Sequence, residues 1–314
     1  MTDERWERDA LRDVALEGIR ERRRARRWSI FFRLAFLIYL FLILFAFRGF
    51  DLGLTGDREE TGPHAAVVKI NGVIMADGQT RADTVIDGLR RAFEDSATAG
   101  VILQINSPGG SPVQASQINN EILRLKEEYP DTPIYAVGED MFTSGAYYLA
   151  VSTDKIFVDR ATMIGSIGVL MNGFGFTDAM DKLGVQRRLY TAGDNKGLLD
   201  PFSEEREQDV AWINSLLDEI HEQFIEAVQD GRGDKLADDD DLFSGLVWTG
   251  EDGIRLGLAD EIGSVRDVAR NELDTETLRD FTPRPNILDR LAGRVGASFA
   301  EGISSLLLRE QTPR

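Results

Sequence analysis

The stretch Ser29–Phe47, SIFFRLAFLIYLFLILFAF, is interrupted by one charge, Arg33. It comes close to the roughly 20 apolar residues that a helix needs to cross a bilayer. Arg33 stands near the start of the run, where a long side chain can snorkel to the headgroups. Ahead of the run lie Arg20, Arg22, Arg23, Arg24, Arg26 and Arg27, and after it Asp51–Glu60 is mostly acidic. The positive-inside rule then keeps residues 1–28 cytoplasmic and exports the remainder. A cleaved signal peptide has a shorter apolar core and a small-x-small exit, whereas this run ends Phe45-Ala46-Phe47-Arg48. The expectation is a retained single-pass anchor over 29–47.

Residues 51–314 carry 25 basic and 47 acidic side chains, a net charge of −22 within a whole-chain charge of −18. Such a surface repels nucleic acid and favours solubility, so nucleic acid is not an expected partner. Cysteine is absent, which excludes thiolate metal sites, disulfides and a thiol nucleophile. His64 and His221 are the two histidines, too few for a multi-histidine metal site and poor material for a histidine-based triad. A general base, if there is one, is expected to be another residue type.

Residues 48–64, with Gly53, Gly56, Gly62 and Pro63 among charges, read as a linker. From Ala65 short apolar runs alternate with helical patterns. Strands are expected at Ala66–Ile70, Gly100–Ile105, Pro133–Val137, Lys155–Val158, Ile167–Met171 and Val185–Tyr190. Helices are expected at Ala82–Glu94, Val113–Glu128, Ser144–Val151 and Thr177–Leu183. Over Glu204–Asp230 the series Val210, Ile213, Leu217, Ile220, Phe224, Val228 steps by three or four and predicts one long amphipathic helix. His221 lies off that stripe and reads as structural. The alternation predicts an α/β domain over 65–275. The remaining tail, 276–314, places Ile287, Leu291, Val295, Phe299 and Ile303 on one side of a possible helix able to dock on a neighbouring subunit or the membrane surface.

Three segments could carry chemistry. Asn106-Ser107-Pro108-Gly109-Gly110-Ser111 follows an apolar strand, and paired glycines let backbone N–H groups approach a ligand, as an oxyanion hole requires. Taken alone, it can equally be a turn. Phe142-Thr143-Ser144-Gly145-Ala146-Tyr147-Tyr148 places a serine at the start of a helix, where it can be an N-cap or an exposed nucleophile beside free N–H groups. Thr191-Ala192-Gly193-Asp194-Asn195-Lys196-Gly197 holds one of only six lysines in a chain with 30 arginines. Arginine stays protonated, whereas a desolvated lysine can serve as a base.

The ordered set NSPGG, TSGAYY, GSIGV at Gly165–Val169, AGDNK and the late TGEDGIRLGLADEIG ending at Gly263 resembles peptidase family S49, the signal peptide peptidases. The likeness spans roughly residues 65–275. It implies a Clp protease/crotonase-like α/β fold of repeated β-β-α units, here preceded by one N-terminal transmembrane helix. It also implies a membrane serine endopeptidase acting on remnant signal peptides, with the domain on the periplasmic side of the inner membrane and subunits assembled as a homo-oligomer. By that resemblance Ser144 is the nucleophile, Lys196 the general base, Ser166 the hydroxyl that orients the lysine, and the N–H groups of Gly110 and Gly145 the oxyanion hole. No metal or organic cofactor is required. The family more often has Ala-Ser-Gly-Gly around the nucleophile and an aromatic where Asn195 stands. Alternatives are a general envelope quality-control protease, an inactive membrane scaffold and, from the wider superfamily, an acyl-CoA enzyme.

Overall fold

The computed structural model describes residue 24, residues 26–43 and residues 62–283. The chain divides into two units, residues 1–61 and 62–314. In the first, residues 26–43 form helix α1, along which Trp28 stacks on Phe32 at 5.6 Å and the apolar side chains are exposed. Among the described residues no helix is long and apolar enough to cross a membrane. The described part of α1 includes Arg26, Arg27 and Arg33, and residues 44–47 of the expected span lie outside the described residues. The linker over 48–61 and the tail from 284 onward also lie outside them.

The second unit alternates strand and helix: β1 (His64–Asn71), α2 (Ala82–Glu94), β2 (Thr98–Ser107), α3 (Pro112–Glu128), β3 (Ile134–Thr143), α4 (Gly145–Ala150). Then come β4 (Lys155–Val158), β5 (Met163–Gly165), α5 (Thr177–Leu183), α6 (Glu207–Arg232), β6 (Val247–Thr249), α7 (Gly250–Arg255), β7 (Glu261–Ile262), α8 (Val265–Asn271) and β8 (Leu278–Asp280). The main sheet runs β6-β5-β3-β2-β1-β8, with β4 beside the first half of β3 and β7 beside β4. All pairings are parallel except β5 with β6.

The apolar runs that predicted β1 to β3 are continuous because both faces of the sheet are covered. Ala66, Val68, Ile70, Val101, Leu103, Ile105 and Ala136 face the larger core under α2, α3 and α4. Ala65, Ile102, Tyr135, Val137 and Phe157 face the opposite side, where Val268, Ala269 and Leu273 cover them. The strand period of two thus sorts one run into two cores. Close approach fixes some glycines: a Cβ on Gly231 would stand 2.2 Å from Val151 O, so the end of α6 lies directly against the end of α4.

Three expectations need correction. Ile167–Met171 and Val185–Tyr190 are not strands; the regular strand here is Met163–Gly165, ending where Gly165 and Ser166 take positive φ (100° and 53°). Among the described residues neither run has a strand to pair with, and a strand without a ladder partner does not persist. Leu170, Met171, Phe174, Leu183 and Tyr190 instead stand exposed along an arm. The sheet also continues past residue 275, since β8 pairs with β1 through Ala65–Val67. On α6 the expected stripe is inward, but only Phe224 and Val228 of it are fully buried; Val210, Ile213, Leu217 and Ile220 are half-covered.

Candidate active site

The C-terminal ends of β2 and β3 bring the first two motifs together. β3 is long because it changes neighbour, pairing Tyr135–Gly138 with β4 and Met141–Thr143 with β5. Its register with β2 slips between Ile105 and Ser107, and Asn106 bridges the slip. The Asn106 Nδ2 group donates to Asp140 Oδ2 at 3.0 Å, and Met141 N donates to Asn106 Oδ1 at 3.2 Å. Ser107 is fully buried, and its Oγ accepts from Gly109 N at 3.1 Å, which shapes the Pro-Gly-Gly turn from inside. From the other side Ile74 N donates to Gly109 O (2.9 Å) and Ser111 N donates to Ile74 O (2.8 Å). A Cβ on Gly110 would lie 2.1 Å from that Ile74 oxygen, so no larger residue fits.

Ser144 sits between β3 and α4 with φ 54° and ψ −130°. A non-glycine residue held in such a region stores about 1–3 kcal/mol, sustained by its surroundings. Here the surroundings are the Ser144 N–H, which donates to Gly165 O at 2.8 Å, and α4, whose Tyr147 and Tyr148 N–H groups donate to Ser144 O at 2.9 and 3.0 Å. The Ser144 side chain makes no capping hydrogen bond, so the capping role open to it from sequence is not the one it has. Among the described residues its hydroxyl makes no hydrogen bond, and it stands at a strained strand-to-helix junction.

The Pro-Gly-Gly turn packs against this junction. A Cβ on Gly109 would lie 2.6 Å from Gly145 N, 2.7 Å from Ser144 Cβ and 2.9 Å from Thr143 O, and one on Gly145 would lie 3.3 Å from Gly110 N. Gly110 and Gly145 are therefore neighbours in space beside Ser144, and neither N–H has an acceptor among the described residues. Two unclaimed donors beside a free hydroxyl can stabilise an oxyanion developing on an attacked carbonyl. Ser166 comes directly after the end of the β3–β5 pairing, next in sequence to Gly165, whose carbonyl accepts the Ser144 N–H. Its own N–H donates to Leu246 O at 2.7 Å.

Lys196 has no hydrogen bond or ion pair to this cluster among the described residues. It ends a turn in which its N–H donates to Gly193 O at 3.1 Å. Its side chain is exposed and makes no hydrogen bond or ion pair among the described residues. His221 Nε2 lies 3.1 Å from Ile167 O, as a half-buried structural histidine would.

Behind the serine, Tyr147 is fully buried and its hydroxyl donates to Leu258 O at 2.9 Å; burial drives its phenol well above the ordinary range. Nearby, Asp260 accepts from Ile156 N, Arg232 Nη1 (both 2.8 Å) and Lys235 Nζ (2.7 Å). Burial alone would raise its carboxyl, but these donors outweigh that and hold it at about 2. Sequence reading missed Ser107, Asn106 and Ile74 as supports of the turn. The first two lie within the NSPGG motif, whereas Ile74 carried no signal, since only its backbone is used.

The profile of peptidase family S49 matches residues 127–278. A protein of Enterococcus faecium named as a signal peptide peptidase SppA is 30% identical over 234 residues, which are 71% of this chain and 67% of its own length. The chain belongs to peptidase family S49. A further relative, Protease 4 of Haemophilus influenzae, is 30% identical over 230 residues, 69% of this chain and 36% of its own. A Brucella abortus protein named Na(+)/H(+) antiporter NhaA is 39% identical over 236 residues, 73% of this chain but 32% of its own. The chain thus spans about a third of that relative's length. The transport in its name is a statement about that protein. Among solved structures, a mutant of the 1510-N membrane-bound stomatin-specific protease in complex with a substrate peptide is 14% identical at a TM-score of 0.42, covering 74% of this chain and 98% of that one.

Proposed function

We propose that this S49 protein is a membrane-anchored serine endopeptidase of the Ser–Lys type on a Clp protease/crotonase-like fold. Ser144 is the nucleophile, Lys196 the general base, Ser166 the hydroxyl that orients the lysine, and the Gly110 and Gly145 N–H groups the oxyanion hole. The observation that carries this reading is the contact of the Pro-Gly-Gly turn with the strained Ser144 junction, which sets two unclaimed N–H donors beside a free hydroxyl. In the reaction the neutral Lys196 amine takes the Ser144 Oγ proton as Oγ bonds to a peptide carbonyl carbon. The carbonyl oxygen gains negative charge and is held by Gly110 and Gly145. Collapse breaks the C–N bond, and the ammonium returns its proton to the leaving amine. Water, deprotonated by the same lysine, then releases the acyl group from Ser144.

Remnant signal peptides are the proposed substrates, in keeping with the name of the E. faecium relative. The apolar run 29–47 is the proposed anchor, holding the domain on the periplasmic side, close to where such peptides are released. Homo-oligomer assembly is part of the proposal, because Lys196 has no side-chain partner among the described residues and rides on an arm of exposed apolar residues. Burying that arm against a second copy is the step expected to complete the site.

The test is labelling by a fluorophosphonate and cleavage of synthetic signal peptides by the full chain. Ser144→Ala should abolish both, and Lys196→Arg should be as inactive in cleavage as Ser144→Ala. An active Lys196→Arg protein would remove lysine from the base role, and wild-type protein that neither labels nor cleaves would support the scaffold alternative.

A further inference from the structure

Trp248 has no part in the proposed chemistry, yet it touches the peptide unit on which both serines depend. The Gly165–Ser166 peptide is pinned on two sides. Its carbonyl oxygen, on Gly165, accepts the Ser144 N–H at 2.8 Å, and its N–H, on Ser166, donates to Leu246 O at 2.7 Å. Both residues of this unit have positive φ, a conformation that extended strand does not supply. Something must hold it there.

β6 does so from the far side. It runs antiparallel to β5, with Trp248 opposite Ile164 and Val247 opposite Gly165. The Trp248 indole lies over Gly165: a Cβ built there would be 2.9 Å from Trp248 Cδ1, 3.5 Å from its Nε1 and 3.1 Å from Leu246 O. The indole fills the space a side chain would need and backs the peptide in its left-handed form. Its Nε1 is buried with no acceptor among the described residues. With its N–H unsatisfied, the indole contributes here through the packing of its ring against Gly165.

We infer that Trp248 is a positioning residue, a wedge that fixes the Gly165–Ser166 peptide and through it the backbone of Ser144. The inference rests on the proposed role of Ser144 but is read independently of activity. The experiment compares wild type, Trp248→Phe and Trp248→Leu as full chains. It measures fluorophosphonate labelling, kcat and KM for peptide cleavage, thermal unfolding, and hydrogen exchange of the segment 142–147.

Trp248→Leu, which leaves the space beside Gly165 part-empty, is expected to slow labelling and kcat by about tenfold or more with KM little changed. It should also speed exchange of the 142–147 amides about tenfold while β1 and β2 amides keep their protection. Trp248→Phe, which keeps a ring and discards the orphaned N–H, is expected to recover most of both. Exchange in Trp248→Leu unchanged from wild type overturns the wedge. So does a phenylalanine variant as impaired as the leucine one, since the N–H rather than the ring would then be at work. If wild type itself does not label, the peptidase reading fails, and the exchange comparison alone still decides the role of Trp248.

Discussion

Gly109→Ala is the substitution that most directly tests the proposed oxyanion geometry. The new Cβ would lie 2.6 Å from Gly145 N, and restoring an ordinary contact of 3.4 Å requires the turn and the junction to part by 0.8 Å. Its other close contacts, Ser144 Cβ and Thr143 O, are parts of the same junction, so the strain cannot be passed to a flexible side chain. The wild-type φ of 94° adds about 1 kcal/mol or more for any residue with a Cβ. Oxyanion donors act only within about 2.7–3.1 Å of the developing charge, so a separation of this size should cost about a hundredfold in kcat. KM should change little, because ground-state binding does not depend on those donors. The two cores are untouched, and thermal unfolding should move by roughly 2–8 °C, the equivalent of a loss of one to two kcal/mol. Steady-state cleavage of a signal peptide, fluorophosphonate labelling and a melting curve on the same preparation give the answer. A Gly109→Ala protein with wild-type kcat would refute the reasoning, because no arrangement of these atoms admits the methyl group and keeps Gly110 and Gly145 in place.

Further outcomes follow from other parts of the molecule. Ser166→Gly relieves a positive φ of 53° and should raise stability by about 1 kcal/mol in denaturant titration, while cleavage drops about tenfold or more through loss of the hydroxyl; full activity would remove Ser166 from the site. Asp260 is held at about 2, below its unfolded value of about 3.9, so its stabilising effect is complete above pH 4 and lost as pH falls from about 4 towards 2. Asp260→Asn should flatten the melting-temperature curve over that window, and at neutral pH should cost about 3 kcal/mol because Arg232 is left buried and unpaired; an acid limb identical to wild type would count against the coupling. Leu89→Ala, at a fully buried position on α2, should cost about 2–5 kcal/mol in denaturant titration while the folded fraction labels at the wild-type rate; slowed labelling of folded protein would mean that the core and the site are linked.

Elements buried on both faces of the sheet were legible in the sequence because burial wrote an uninterrupted apolar run, as in β1 to β3. Helices α2, α5 and α6 were legible because their periodicity is local. The same logic misled at Ile167–Met171 and Val185–Tyr190. There the apolar pattern is real, but a strand also needs a neighbour, and the described residues offer none. The serine, the Pro-Gly-Gly turn and Ser166 were readable as an ordered set of motifs, though each fragment alone was ambiguous between a cap or turn and a site. Tertiary contact set the φ of Ser144 and left its side chain uncapped, which removes the capping role.

By itself, then, the sequence determined the α/β alternation, the apolar run near the N-terminus, the exclusion of thiol and multi-histidine chemistry, and the family. Those properties depend on composition, period and order, which are carried along the chain. What only the tertiary structure decided is which atoms meet: the approach of Gly109 to Ser144 and Gly145, the peptide shared by Gly165 and Ser166, the indole behind it, and the exposed position of Lys196. These depend on the register and crossing of distant strands, where a shift of less than an ångström separates a donor in reach from one that is not.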